Sequence, residues 1–167
     1  IRDIGVTGVQ TCALPISNEC PPSLVREVWE DGSGHSPALW NRLAEMGVLS
    51  ILVPELHGGM GGSFVDAVLL FQELGRAAAP GPILETMAVA APALASTEHG
   101  HGLVDGSKVA TLWVDGSPYA AHAQVADLIL RDDSVITGFT AVDAHGIDGA
   151  RRLYTVSGGS SSPASAT

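Results

Sequence analysis

A change of pattern near residue 100 constrains the fold of this chain more than any other feature. Before that point, apolar residues recur at spacings of three and four, the periodicity of helices that bury one face. After it, short runs rich in β-branched residues are separated by turn-forming residues, which is typical of strands. The change falls at His99-Gly100-His101-Gly102. The sequence therefore predicts an α+β fold, in which an N-terminal helical bundle is followed by a partial antiparallel β domain.

Helix-start signals locate the helices of the first half. Ser36 can accept hydrogen bonds from the free amides of a first turn, and Pro37 suits the first helical position. Ser63 and Asp66 form a capping-box pattern at a second start, and the apolar residues of that helix cover a broad face, which predicts a central helix. The predicted helices are Ser23 to Glu30, Pro37 to Met46, Ser63 to Leu74, and one from Pro82 that Pro92 would kink or divide.

The second half carries the predicted strands, and turn signals such as Asp132-Asp133-Ser134 separate them. The predicted strands are Val109 to Val114, Asp127 to Arg131, Val135 to Phe139, and Leu153 to Val156. A sheet this small is marginal unless other structure covers it, so we expect it to be part of a larger domain.

The two ends of the chain differ from the rest. Ile1 to Ser17 shows neither the charge pattern of a signal peptide nor helical periodicity, and it resembles translated sequencing-adapter read-through. Ser157 to Thr167 consists of Gly, Ser, Pro, Ala and Thr, which predicts a flexible tail. The predicted organisation is a non-native or disordered extension over 1–17, a helical domain over 18–103, a partial β domain over 104–156, and a tail over 157–167.

Composition excludes several classes of partner. The formal net charge of -10 repels phosphate backbones and anionic lipid surfaces, so we expect no nucleic-acid partner. Gly, Pro or an acidic residue interrupts every apolar run before it reaches membrane-spanning length, so we expect no membrane partner. The two cysteines, Cys12 and Cys20, could close only a small loop, and we expect a reducing, cytoplasmic location.

A glycine loop, Gly58-Gly59-Met60-Gly61-Gly62, lies between the apolar run Leu49 to Val53 and the helix from Ser63. This order imitates a phosphate-binding turn between a strand and a helix. The spacing does not complete a dinucleotide fingerprint, because Phe64 stands where a third glycine is needed. The alternative is a close-packed connection between two helices, which accounts for the glycines at least as well.

Three other groups of residues could carry chemistry. His99 and His101 could ligate a metal from an extended segment, but the sequence offers no convincing cluster of further ligands, so a solvated linker is favoured. Glu73 and Glu85 are helical carboxylates that could act as bases if they are buried. A hydrolytic triad could be drawn from His122, His145, Asp127 and Asp143. The sequence contains no G-x-S-x-G elbow, so this interpretation is weak.

The middle of the chain resembles the flavin-dependent acyl-CoA dehydrogenase family. In Leu39 to Gly62, a helix ending in E-x-G leads to a Pro-Glu-x-x-Gly-Gly-x-Gly loop, as in that family. Ser63 to Leu94 resembles the family's next helices, and Glu73-Leu74-Gly75-Arg76 matches a characteristic helix end. The order of these segments is more specific than the loop alone. Weaker similarity to the family's β domain begins at Val109.

The resemblance implies a helical bundle, a β domain and a second helical bundle, with FAD bound between the last two. It also implies α,β-dehydrogenation of an acyl-CoA substrate within a homo- or hetero-oligomer, in fatty acid or steroid β-oxidation. Between Thr111 and Asp127 this chain is too short for the family's flavin-contacting loop. The family's catalytic glutamate lies in C-terminal helices that are missing from this sequence. We therefore expect the chain to be inactive alone and FAD not to be bound by it alone.

By the same resemblance, the helical domain lines one side of the acyl pocket. The positions expected nearest to substrate are Gly58, Gly59, Gly61, Gly62, Glu85, Thr86 and Met87. The first functional hypothesis is an incomplete acyl-CoA dehydrogenase. The second is a non-flavin partner subunit of a mixed oligomer, and the third is a nucleotide-binding module built on the Gly58 loop.

Overall fold

The structure is a computed structural model that describes residue 16 and residues 18–165. Its helices are α1 (Pro22–Asp31), α2 (Pro37–Glu45), α3 (Phe64–Arg76), a π-helical segment (Glu85–Ala90) continued by α4 (Ala91–Ala93), and α5 (Gly100–Val104). Short 3-10 turns cover Val48–Ser50 and Glu55–His57. Its strands are β1 (Ala110–Leu112), β2 (Ala120–Ala121), β3 (Leu128–Arg131), β4 (Ser134–Asp143) and β5 (Leu153–Pro163). The predicted α+β fold is confirmed.

The N-terminal helices form where the start signals predict them. The Ser36 side chain accepts a hydrogen bond from the backbone N–H of Leu39 at 3.4 Å, and Pro37 is the first residue of α2. Gly47 ends the helix with a φ of +75°, a conformation that glycine adopts at little cost. The buried side chains of α2 pack with those of α3 and the π-helical segment into one core: Leu39, Trp40, Leu43, Leu70, Leu74, Ile83 and Met87.

The position of Ile16 differs from the prediction that residues 1–17 are a non-native or disordered extension. Its side chain is fully buried in the helical core, next to Cys20, although the sequence set residues 1–17 aside. Cys12 and the remaining residues of that segment lie outside the described part of the chain.

The apolar run before the glycine loop forms no strand. Val48–Ser50 is a 3-10 turn, and the backbone N–H of Gly62 returns to the carbonyl of Ile51 at 2.8 Å. The loop is a tight connection between helices. A strand followed by a glycine-rich helix start is therefore not present here, and the dinucleotide-turn interpretation of the Gly58 loop is wrong.

Close backbone packing explains two of the loop glycines. A Cβ on Gly59 would overlap the backbone of Val53, and a Cβ on Gly62 would stand 2.8 Å from the carbonyl oxygen of Ile51. In contrast, a Cβ on Gly75, within α3, would meet nothing within 4 Å. Gly59 and Gly62 are therefore needed for the connection, whereas Gly75 is not needed for packing.

We predict opposite effects of alanine at these two glycines. Gly59→Ala should lower the free energy of unfolding by about 2 kcal/mol, because the backbone must move to admit the methyl group. Gly75→Ala should raise it by about 0.5–1 kcal/mol, because alanine restricts the unfolded chain and favours helix. Urea unfolding followed by circular dichroism measures both. Equal destabilisation by the two variants would contradict this account of the loop.

Helix α3 is not central in this chain. Asp66 accepts hydrogen bonds from the backbone N–H and the hydroxyl of Ser63, at 2.7 and 2.6 Å, so the predicted capping interaction of Asp66 is present. The helix buries one face only, and its opposite face is apolar and exposed. Its exposed apolar side chains are Phe64, Val65, Val68 and Leu69. We call these four residues the α3 outer face.

The helix that follows Pro82 accommodates Pro92 through a wider turn. The backbone N–H of Ala91 donates to the carbonyl of Thr86, five residues earlier instead of four. Proline has no N–H, and in a regular α-helix its ring would clash with the carbonyl four residues before it. The π-helical geometry lets the helix continue to Ala93 instead of dividing at Pro92.

The five strands form one sheet in the order β1-β3-β4-β5-β2. The pairs β3–β4, β4–β5 and β2–β5 are antiparallel, as predicted, but β1 runs parallel to β3. Strand β2 was not predicted, because only two residues, Ala120 and Ala121, take part in it.

The predicted flexible tail is corrected as far as Pro163. Residues from Ser157 to Pro163 continue β5 and pair with β4, with Ser160 opposite Thr137 and Pro163 opposite Ser134. This pairing uses backbone groups, so it needs no apolar side chains, and the exposed Ser-rich composition conceals it.

The helical part and the sheet are joined by buried hydrogen bonds. The Thr86 hydroxyl donates to the carbonyl of Ala110 at 2.7 Å and accepts from the Ala110 N–H at 3.2 Å. Strand β1 lies at the sheet edge, so Thr86 supplies partners that no further strand provides. The His99-to-Gly102 segment, predicted as a solvated linker, instead enters α5, where Gly100, Gly102 and Leu103 are buried.

Candidate functional site

A cavity of about 300 Å³ lies where the helical part meets the sheet. Four segments line it: the end of α3 with the loop that follows, the start of the π-helical segment, the loop after β2, and the loop between β4 and β5. Its lining includes Phe71, Leu74, Ile83, Glu85, His122, Asp148 and Arg151. Apolar and ionisable side chains therefore share one cavity, the combination expected of a ligand site. We call it the junction cavity.

Glu85 is the carboxylate of the helical wall. Its side chain is 15% exposed, and its Oε1 lies 3.5 Å from Nη2 of Arg151, whose side chain is 64% exposed. This ion pair connects the helical part to the β4–β5 loop. The carboxylate of Asp148 shapes that loop by accepting hydrogen bonds from the backbone N–H groups of Ala150 and Arg151.

His122 is the buried imidazole of the cavity and is only 5% exposed. Burial and, to a smaller extent, the positive charge of Arg151 lower the pKa of His122 to about 4. Its Nδ1 is buried and has no hydrogen-bond partner among the described residues. The residue adopts a φ of +56°, which is uncommon for residues other than glycine. The imidazole is therefore neutral at pH 7.

A second imidazole, that of the half-buried His35, lies behind the cavity wall. Its ring packs edge-on against Trp40 with centroids 5.5 Å apart, and a Cβ on Gly81 would stand 3.0 Å from its Nδ1. Burial lowers the pKa of His35 as well. Two neutral histidines thus stand at the junction between the helices and the sheet.

The structure separates the residues that the resemblance placed nearest to substrate. Glu85 lines the junction cavity, whereas Thr86 and Met87, its neighbours in the π-helical segment, are fully buried. The loop glycines Gly58, Gly59, Gly61 and Gly62 are not among the residues that line the cavity. The set of positions is therefore not brought together in one place, and Glu85 alone faces the open space.

The other groups considered from sequence lie apart. His101 is exposed and pairs with Asp105 at 3.0 Å, while His99 contacts Lys108 at 3.2 Å. Within the described part of the chain, no group of three or more His, Cys, Asp and Glu side chains could hold a metal ion. His145 contacts Asp143 at 3.8 Å in an exposed loop and shares no site with His122.

The segment at which the resemblance puts flavin contacts is already occupied by internal interactions. The Thr111 hydroxyl donates to the carbonyl of Ala121 at 2.6 Å, and the indole N–H of Trp113 donates to the carbonyl of Ser117 at 2.9 Å. The guanidinium of Arg131 covers the Trp113 ring at 4.5 Å. The Thr111 hydroxyl and the Trp113 indole N–H therefore already have hydrogen-bond partners inside this chain.

A second cavity, of about 460 Å³, lies between α1 and the end of α3. Cys20 lines it, and burial raises the pKa of that thiol, which keeps it protonated and unreactive. Within residues 18–165, the helices are too short or too polar to cross a membrane.

Sequence reasoning missed Arg151 and His35. Arg151 is 66 residues from Glu85 along the chain, and an arginine after an Asp-Gly turn resembles any solvated loop residue. One indirect signal was present in the sequence. Both residues lie in glycine-containing loops between regular elements, and binding residues are often found in such loops.

Comparison with known proteins identifies the family. Residues 11–99 match the model of the acyl-CoA dehydrogenase N-terminal domain. The match begins at residue 11, inside the predicted N-terminal extension over 1–17, in agreement with the burial of Ile16.

Two curated relatives extend this similarity. The acyl-CoA dehydrogenase IpdE2 of Mycolicibacterium smegmatis is 32% identical over 154 residues, which is 88% of this chain and 49% of that protein. IpdE2 of Mycobacterium tuberculosis is 31% identical over 153 residues, which is 86% of this chain and 48% of that protein. The chain thus spans about half the length of these relatives.

Solved structures share the fold. A variant of the Tcur3481-Tcur3483 steroid ACAD superposes with a TM-score of 0.74 and 21% identity, covering 94% of this chain and 56% of that one. The ChsE4-ChsE5 complex from Mycobacterium tuberculosis gives a TM-score of 0.67 and 20% identity, covering 93% and 59%. With its N-terminal domain matched by the family model and its fold shared with these enzymes, the chain belongs to the acyl-CoA dehydrogenase family.

Proposed function

We propose that this chain supplies the helical domain and part of the β domain of an enzyme that dehydrogenates acyl-CoA thioesters. In this proposal FAD and the catalytic carboxylate belong to further polypeptide, and this chain is inactive alone. The observation that carries the proposal is the match of residues 11–99 to the family's N-terminal domain, in a chain that spans about half the length of its curated relatives. The engagement of Thr111 and Trp113 within the protein supports the placing of the flavin on further polypeptide. In this proposal residues 18–103 belong to the helical unit together with Ile16, and the β unit begins at residue 104.

We propose the junction cavity as this chain's part of the acyl pocket. Its apolar wall of Phe71, Leu74 and Ile83 suits a hydrocarbon chain, and Glu85 faces it. Thr86, Met87 and the glycines 58, 59, 61 and 62 then act indirectly, by holding the helices that carry this wall. Fatty acyl or steroid-derived thioesters are the proposed substrates, and the steroid ACAD among the structural neighbours supports the second group.

A second candidate is a non-flavin subunit of a hetero-oligomer. Two structural neighbours, the Tcur3481-Tcur3483 enzyme and the ChsE4-ChsE5 complex, bear the names of two components each, which supports this arrangement. The α3 outer face supports it too, because exposed apolar patches of this kind mark surfaces that other protein covers.

Co-expression tests the proposal. The full chain, tagged, is produced with an untagged flavin-bearing acyl-CoA dehydrogenase homologue and purified through the tag. We expect a yellow mixed complex, and a colourless protein when the chain is produced alone. Recovery of two separate proteins would contradict the mixed oligomer. Sequencing the locus beyond Thr167 distinguishes the two forms of the proposal, since a continuing reading frame would place the flavin-binding part on the same polypeptide.

A further inference from the structure

Glu85 retains hydrogen-bonding capacity toward the junction cavity. A carboxylate can accept about four hydrogen bonds. Glu85 forms an ion pair with Arg151 at 3.5 Å, a distance longer than the 2.7–2.9 Å typical of strong charge-assisted bonds. The carboxylate is nevertheless largely buried, with 15% of its side chain exposed. A ligand that enters the cavity therefore displaces water from an acceptor that the protein does not saturate.

The chemistry of the cavity discriminates between ligand groups. An alkyl group beside Glu85 would remove its water without replacing the hydrogen bonds, which is unfavourable for a carboxylate. A ligand carboxylate would meet two negative groups, Glu85 and Asp148, against one positive group, Arg151, giving a net charge of -1 because His122 is neutral. A hydroxyl group can donate to Glu85 and accept from Arg151, so it satisfies both without adding charge.

The rest of the cavity is apolar on the helical side. Leu74 and Ile83 are almost completely buried, and Phe71 lies beside them. A hydrocarbon body packs there while one polar atom reaches Glu85. The cavity volume of about 300 Å³ is at the lower end of the range for small-molecule sites, so it suits one acyl tail.

We infer that Glu85, supported by Arg151, is a specificity-determining residue that selects acyl groups carrying a hydroxyl group where the acyl chain passes the π-helical segment. The inference rests on the proposed function for the identity of the ligand as an acyl-CoA. It adds the substrate class, a hydroxylated acyl thioester, and the residue that recognises it.

Three thioesters of equal chain length test the inference. Octanoyl-CoA, ω-hydroxyoctanoyl-CoA and octanedioyl-CoA end in a methyl, a hydroxyl and a carboxylate group. Their dissociation constants are measured by calorimetry on the full chain, and their kcat/KM values by flavin reduction in the mixed complex. We expect the hydroxylated thioester to be preferred about tenfold over octanoyl-CoA, and octanedioyl-CoA to be the weakest ligand.

Variants of Glu85, compared with a control variant of Glu73, test whether Glu85 causes the preference for the hydroxylated thioester. Glu85→Met should abolish the hydroxyl preference while strengthening octanoyl-CoA binding, since methionine of similar length leaves no carboxylate to desolvate. Glu85→Gln should reduce the penalty on octanedioyl-CoA, because the charge is removed. The control is Glu73→Met: Glu73 is 20% exposed, pairs with Arg76 at 3.3 Å, and does not line the junction cavity. Circular dichroism checks that every variant is folded.

The outcomes separate the two proposals. Equal kcat/KM values for octanoyl- and ω-hydroxyoctanoyl-CoA would overturn the inference and leave the proposed function standing. A preference that survives in Glu85→Met, or that Glu73→Met also removes, would overturn the role of Glu85. If no thioester reduces the flavin of the complex, the proposed function falls, and the calorimetric comparison still decides the inference. The inference is also overturned if ω-hydroxyoctanoyl-CoA binds neither the full chain alone nor the mixed complex.

Discussion

Thr86→Val is expected to lower the free energy of unfolding by about 3 kcal/mol. Valine keeps the shape of the side chain and removes the hydroxyl group, which both donates to and accepts from Ala110 at the free edge of β1. The residue is completely buried, so water cannot replace the lost partners. Two buried backbone groups would be left without hydrogen bonds, and the helices would dock less firmly on the sheet.

Urea denaturation with circular dichroism and tryptophan fluorescence measures this change. Thr140→Val is the matched control, because Thr140 is exposed on β4 and its substitution should change stability by less than about 0.5 kcal/mol. A loss below about 1 kcal/mol for Thr86→Val would mean that Ala110 finds other partners, and that the junction does not depend on this bond.

Acidification from pH 6.5 to pH 4 is expected to destabilise the protein by about 3 kcal/mol through His122 alone. The pKa of His122 is about 4 in the folded protein, against 6.5 when unperturbed. The unfolded chain therefore binds more protons in this window. The stability that depends on neutral His122 is present above pH 6.5 and is lost as the pH falls toward the folded pKa of about 4. His35 acts in the same direction, because burial also lowers its pKa.

Chemical denaturation across this pH range, on wild type and two variants, checks the assignment. His122→Asn should flatten the pH dependence, and asparagine tolerates the left-handed φ of +56°. His145→Asn is the control, since His145 has a φ of +54° but its side chain is 90% exposed. The lowered carboxyl pKa values of Asp31, Asp66 and Asp105 start from 3.8, so those groups act mainly below pH 4. An unchanged slope in His122→Asn would contradict the assignment.

Local signals predicted the helices well because their causes are local. Ser36, Pro37 and Gly47 determine α2 by capping, backbone restriction and a left-handed stop. Ser63 and Asp66 do the same at the start of α3. These effects act within one turn, so the sequence alone reveals them.

The features that the sequence did not predict correctly depend on non-local interactions. Backbone pairing with β4 holds Ser157 to Pro163 in a strand that composition conceals. Helix α3 was expected to be central, but the chain covers one face only and leaves the α3 outer face exposed. In the candidate site, Glu85 was identified from sequence, whereas its partner Arg151 comes from a loop in the sheet. Pairing across the junction depends on tertiary packing, which periodicity cannot reveal.

Anaerobic titration of flavin absorbance with octanoyl-CoA tests the central claim most directly. The claim is that this chain completes an acyl-CoA dehydrogenase whose flavin is carried by further polypeptide. We predict that substrate bleaches the flavin of the co-purified complex, whereas the chain produced alone shows no flavin absorbance. A chain that binds FAD alone and is bleached by octanoyl-CoA, or a complex whose flavin stays oxidised with every acyl-CoA tested, would contradict the account.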